Sequence, residues 1–116
     1  MTQQQPLLVV GHGTVDEGGV AEFRSFLERL RARMTRTGVE VSGGFIELSA
    51  PAVTEVWSEL VEREHRRMVA VPLVLVAAGH GKGDIPAALE REVRRNPGTS
   101  YAFGRPLGPH PILLGC

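Results

Sequence analysis

The chain opens its pattern with a short apolar run, Pro6-Leu-Leu-Val-Val10, that stops at Gly11-His12-Gly13. Such a run fits a buried strand feeding a tight loop. From Asp16 the period lengthens. Val20, Phe23, Leu27, Leu30 and Met34 recur at steps of three and four, while Arg24, Glu28, Arg31 and Arg33 fall on other faces. That spacing predicts an amphipathic helix, with Gly38 as its stop. Val39 to Ile46 reads as a second strand weakened by two glycines. A second helix is expected from Ser49-Ala-Pro51, with Ser49 as cap, Pro51 in the first turn and Val53, Val56, Trp57, Leu60 and Val61 as its apolar stripe. Met68 to Ala78 is the longest apolar run and ends, like the first, in Gly-His-Gly (Gly79-His80-Gly81). Asp84 is expected to cap a third helix bearing Ile85, Ala88, Leu89 and Val93, with Pro86 in its first turn. Asn96-Pro-Gly98 breaks it, and Thr99 to Gly104 reads as a fourth strand.

Strands and helices alternate as βαβαβαβ, which predicts an α/β fold: a four-stranded parallel sheet covered by helices on both faces, in the order 2-1-3-4. Ligands of such sheets bind beyond the carboxyl ends of strands whose crossovers diverge, here the first and third. Those two strands are the ones that end in Gly-His-Gly. Neighbouring strands lie about 4.8 Å apart, so His12 and His80 can reach one ligand atom. Glu47, at the end of the flanking second strand, can approach the same mouth. Two imidazoles and a carboxylate suit a borderline divalent ion such as Co²⁺, Fe²⁺, Ni²⁺ or Zn²⁺, and they leave positions open for exchange. Glycines at 11, 13 and 81 clear room for a broad ligand. Glu47 has a plainer reading too, as an acid favoured by the helix N-terminus near Ser49. His65, within Glu62-Arg-Glu-His-Arg-Arg67, is expected to be solvated, and His110 is ambiguous.

With 116 residues, 42% apolar and 22% charged, the chain has the size and balance of one globular domain, residues 1–116. Thirteen basic and thirteen acidic side chains cancel, which removes the broad electrostatic case for nucleic acid or an anionic membrane. No apolar run reaches the ~18 residues of a spanning helix. The start has no basic segment before an apolar one, so no signal peptide is read there, and a cytoplasmic location is expected. Cys116 is the single cysteine, too few for a disulfide or a thiolate cage. Gly81-Lys-Gly83 lacks phosphate-loop spacing, Gly11-His-Gly13 lacks the third glycine of a dinucleotide fingerprint, and no serine has a nucleophile-elbow context.

Four motifs in order, Val9-Val-Gly-His-Gly-Thr14, Gly44-Phe-Ile-Glu-Leu-Ser-Ala-Pro51, Val71 to His80 with Asp84-Ile-Pro86, and Gly104-Arg-Pro-Leu-Gly-Pro-His-Pro111, resemble the class II chelatases of cobalamin and siroheme synthesis. The resemblance implies a three-layer α/β/α chelatase-like fold and ATP-independent insertion of a divalent metal, cobalt or iron, into sirohydrochlorin or a related tetrapyrrole. It matches His12 and His80 to the family's metal-binding, catalytic histidines and Glu47 to an assisting acid. The metal is then a substrate, with no permanently bound cofactor. Family members pair as homodimers or carry two such halves in one chain, so a second chelatase-like unit is the expected partner. The last helix expected after His110-Pro-Ile-Leu-Leu is absent, which suggests truncation after the fourth strand. The arginine that often follows the first His-Gly pair is replaced by Thr14-Val15-Asp16. Lys82 and Arg105 are the expected partners for substrate carboxylates. A non-catalytic metal or tetrapyrrole carrier is the alternative reading, and a two-histidine metallohydrolase ranks behind it. Because imidazole must be neutral to ligate, activity should fall as pH drops through the range near ~6.5.

Overall fold

The computed structural model describes residues 5–13, 17–73 and 84–104. Strand β1 (Leu7–Gly11) leads into helix α1 (Glu17–Met34), then a 3₁₀ turn, Thr35–Thr37, closed by Gly38 at φ 78°. The rest runs β2 (Val41–Phe45), α2 (Val53–Glu62), β3 (Arg67–Leu73), α3 (Asp84–Arg95) and β4 (Ser100–Phe103). All pairings are parallel and the order is β2-β1-β3-β4, as the alternation predicts.

The two central strands divide their side chains between two cores. Leu8 and Val10 of β1, with Met68 and Ala70 of β3, pack against Val53, Val56, Trp57 and Leu60 of α2 and Ile85 and Leu89 of α3. Leu7 and Val9, with Val71 and Leu73, pack against Phe23, Leu27 and Leu30 of α1. This is the period-two alternation of a strand buried on both faces. α1 therefore covers one face, and α2 and α3 cover the other. Pro72 has no N–H to give to a ladder, yet it sits in a central strand. Among the described residues, the pairing of β3 with β4 reaches no further than Ala70 opposite Phe103.

The two glycines that weaken the β2 pattern have a packing reason. A β-carbon on Gly43 would come within 2.6 Å of Leu27 Cδ1 on α1, and one on Gly44 within 2.9 Å of Val53 Cα on α2. Adjacent residues of a strand face opposite ways, so the pair lets one helix approach from each side.

Two local expectations are corrected. The second helix starts at Val53, after an Ala52 that supplies no side-chain cap, so Ser49 does not cap it and Pro51 precedes its first turn. The intervening chain instead continues the sheet: Phe45 N–H donates to the Pro51 carbonyl, and Phe45 bridges to Ala52. His65 is not solvated but only 8% exposed. Its Nε2 lies 3.1 Å from Glu40 Oε1, and Arg63 also contacts that carboxylate. This cluster stands at the amino edge of the sheet, before β2 and β3 begin. Pro86 does lie in the first turn of α3, as expected. Among the described residues, no helix is long and apolar enough to cross a membrane.

Candidate functional site

The carboxyl edge of the β1–β2 pair is held together past the ends of the strands. Ile46 N–H donates to the Gly11 carbonyl at 3.0 Å, and Glu47 N–H to the His12 carbonyl at 3.2 Å. Two further steps of ladder therefore fix His12 and Glu47 side by side. His12 Nδ1 lies 3.7 Å from Glu47 Oε2. That is too long for a direct hydrogen bond and short enough for an ion pair when the imidazole carries a proton. The side chains are 35% and 56% exposed, so solutes can reach both.

Gly13 completes this arrangement. Its φ is 110°, and a β-carbon there would lie 1.7 Å from the Glu47 carbonyl oxygen. Only glycine both adopts that backbone and lets the two loops touch. Beside Gly11 the space is taken by Phe23 and Phe45, whose atoms lie 2.8 Å and 3.1 Å from where a β-carbon would be. These two rings pack at a tilt of 39° with centroids 4.3 Å apart, anchoring the ends of β1 and β2 to α1.

The sequence placed His12, Glu47 and His80 at one mouth. The structure brings the first two together. His80, Gly81, Lys82 and Arg105 lie outside the described residues, and so does the convergence of the two imidazoles. Among the described residues no cluster of three or more His, Cys, Asp or Glu side chains could hold a metal. What sequence reasoning missed is the residue after the acid. Leu48 has φ 68° and is 65% exposed, and no local signal such as glycine or asparagine marked it.

An imidazole beside a carboxylate at the open edge of a parallel sheet can accept protons and ligate a divalent ion. The sheet of order 2-1-3-4 between helical layers, with these groups at its carboxyl edge, fits the resemblance to the class II chelatases. The chain matches the CbiX family over residues 6–115 and belongs to it. It is 32% identical over 105 residues to a sirohydrochlorin ferrochelatase of Bacillus subtilis (strain 168), covering 90% of this chain and 40% of that protein. It is also 32% identical over 109 residues to a sirohydrochlorin cobaltochelatase of Priestia megaterium, covering 93% and 34%. Among solved structures, the sirohydrochlorin chelatase SirB from Bacillus subtilis subspecies spizizenii, in complex with cobalt, superposes with a TM-score of 0.73 at 30% identity. The match covers 90% of this chain and 44% of that one. The chain thus spans two fifths or less of the length of those two curated relatives.

Proposed function

We propose that this domain inserts a divalent metal, cobalt or iron, into sirohydrochlorin or a closely related tetrapyrrole without ATP. The observation that carries this reading is the His12–Glu47 pair, held by backbone hydrogen bonds at the open carboxyl edge of a CbiX-family sheet. The relatives' names point the same way.

Metallation asks for three things: an ion stripped of water, two pyrrole N–H groups relieved of protons, and the two partners held face to face. His12 and His80 are assigned to the ion, bound as neutral imidazoles. Glu47 stands on the Nδ1 side of His12. It is the base for a pyrrole proton. Holding ion and ring together supplies much of the acceleration by proximity. Gly11 and Gly13 make room for neighbouring protein atoms rather than for a ring, so the Gly81 loop is assigned to the ring's approach, and Lys82 and Arg105 to its carboxylates. The proposed partner is a second chelatase-like unit, a copy of this chain or a separate half, a reading supported by the greater length of the two curated relatives named above.

The test is single-turnover metallation of sirohydrochlorin by the purified chain with Co²⁺, followed by the change in absorbance. His12→Ala and His80→Ala are each expected to lose insertion, with the far-UV signal of the fold unchanged. Tetrapyrrole binding by the wild type without any acceleration over free Co²⁺ would make it a carrier instead. Insertion at the wild-type rate in either histidine variant would remove that residue from the mechanism.

A further inference from the structure

Immediately after Glu47 the chain reverses within three residues. Ser49 N–H donates to the Glu47 carbonyl at 2.8 Å across Leu48, whose φ is 68°. This is the γ-turn of positive φ, the rarer and more strained of the two hands. Leucine is poorly suited to it, because an L side chain in that region crowds the following carbonyl. Asparagine or glycine would take the same backbone more easily. Leu48 is also 65% exposed, one of two large apolar side chains left in solvent among the described residues. It belongs to neither core cluster. The fold therefore bears a strained backbone and a largely exposed apolar side chain at one residue, and neither core cluster of the described residues takes it in. Strain of this kind persists at ligand clamps and active sites. This one lies next to the acid that faces His12.

We infer that Leu48 is a ring-binding residue: its side chain takes the apolar surface of the tetrapyrrole while Glu47 and His12 face the ring's nitrogens and the incoming ion. This rests on the reading of the site as one for tetrapyrrole metallation. A tetrapyrrole offers a flat apolar ring with carboxylates at its rim, so a site for it needs exposed apolar surface beside its polar groups. The γ-turn sets Leu48 one residue from the acid and away from both cores, where a ring arriving over His12 covers it.

The test uses the full chain and three variants. Leu48→Asn and Leu48→Gly both suit positive φ but remove the apolar contact, whereas Leu48→Met keeps it. Binding of metal-free sirohydrochlorin is titrated by quenching of its fluorescence, Co²⁺ binding is titrated separately, and insertion is followed at varied tetrapyrrole. Leu48→Asn and Leu48→Gly are expected to weaken tetrapyrrole binding and raise its KM about tenfold. Their kcat and Co²⁺ affinity are expected to stay within about twofold, the split that marks lost binding rather than lost chemistry. Their unfolding midpoints should equal or exceed that of the wild type, and Leu48→Met should bind the ring as the wild type does. Undiminished tetrapyrrole binding in Leu48→Asn and Leu48→Gly overturns the inference. So does a parallel fall in kcat and Co²⁺ affinity, which would reduce Leu48 to a support for Glu47. A wild-type chain that neither binds nor metallates sirohydrochlorin overturns the functional reading itself and takes this one with it, a result distinct from an active wild type with indifferent variants.

Discussion

At Gly13 the β-carbon of any other residue would strike the Glu47 carbonyl, and the backbone lies where L side chains are disfavoured. Gly13→Ala is therefore expected to push the β1 and β2 loops apart. It should lower stability by about 1–3 kcal/mol in denaturant melts and separate His12 from Glu47, with insertion falling more than stability alone explains. Glu47→Gln keeps the shape and removes the base. We expect kcat for insertion to fall about a hundredfold with the unfolding midpoint unchanged, measured by stopped-flow absorbance and thermal melting. The approach of His12 to Glu47 was legible in the sequence, because each follows a predicted strand, whereas His80, Lys82 and Arg105 lie outside the described residues. The reason for Gly13 was not legible. Glycines in the loops read as room for a ligand, whereas at Gly13 the room is taken by the neighbouring loop's own backbone. That contact joins residues distant in sequence, and no local pattern reports it.

Among the elements, β2 shows how a weak local signal becomes a strong tertiary one. Gly43 and Gly44 lower its intrinsic strand preference, yet each admits a helix from one side of the sheet. Opposite them, α2 carries Trp57, fully buried and edge-on to Tyr101 of β4 with ring centroids 6.3 Å apart. α2 and α3 are also pinned by a polar contact: Thr54 Oγ1 donates to Glu92 Oε2 at 2.6 Å, and Glu92 is only 2% exposed. Thr54→Val keeps the shape but strips that carboxylate of its donor, with an expected cost of about 1–3 kcal/mol in urea unfolding. On β4, burial first, and then the hydrogen bond and negative charge of Glu90, hold the Tyr101 phenol above its ordinary pKa of 10.0. A raised pKa in the folded state favours the protonated phenol. The stability it lends is complete below the ordinary value and is lost as pH climbs through the folded one. Tyr101→Phe should accordingly flatten the alkaline limb of the stability profile measured by chemical denaturation, and only that limb.

For the molecule as a whole, the parallel sheet separates two edges with different work. The carboxyl edge holds His12 and Glu47. The amino edge holds the buried His65 with Glu40 and Arg63. A histidine among five charged or polar neighbours read as solvated, because its run lies between a helix and a strand and looks like a connection. The turn after α2 instead folds it back, with His65 N–H donating to the Leu60 carbonyl at 3.0 Å, beside the start of β2. His65→Ala is expected to lower stability by about 1 kcal/mol while leaving insertion kinetics at the far edge unchanged. A comparable loss of insertion would show that the two edges are coupled.

Periodicity alone determined the number, type and order of the elements, since buried strands and amphipathic helices each need their own spacing of apolar residues. The order 2-1-3-4, expected for a parallel sheet with helices on both faces, is the one the pairings show. Tertiary structure decided the rest: where α2 begins, why β2 tolerates two glycines, how a buried histidine finds Glu40, and that Leu48 stands strained and exposed beside the acid. Each of those depends on atoms brought close from separate parts of the chain, and proximity of that kind leaves no trace in a one-dimensional pattern.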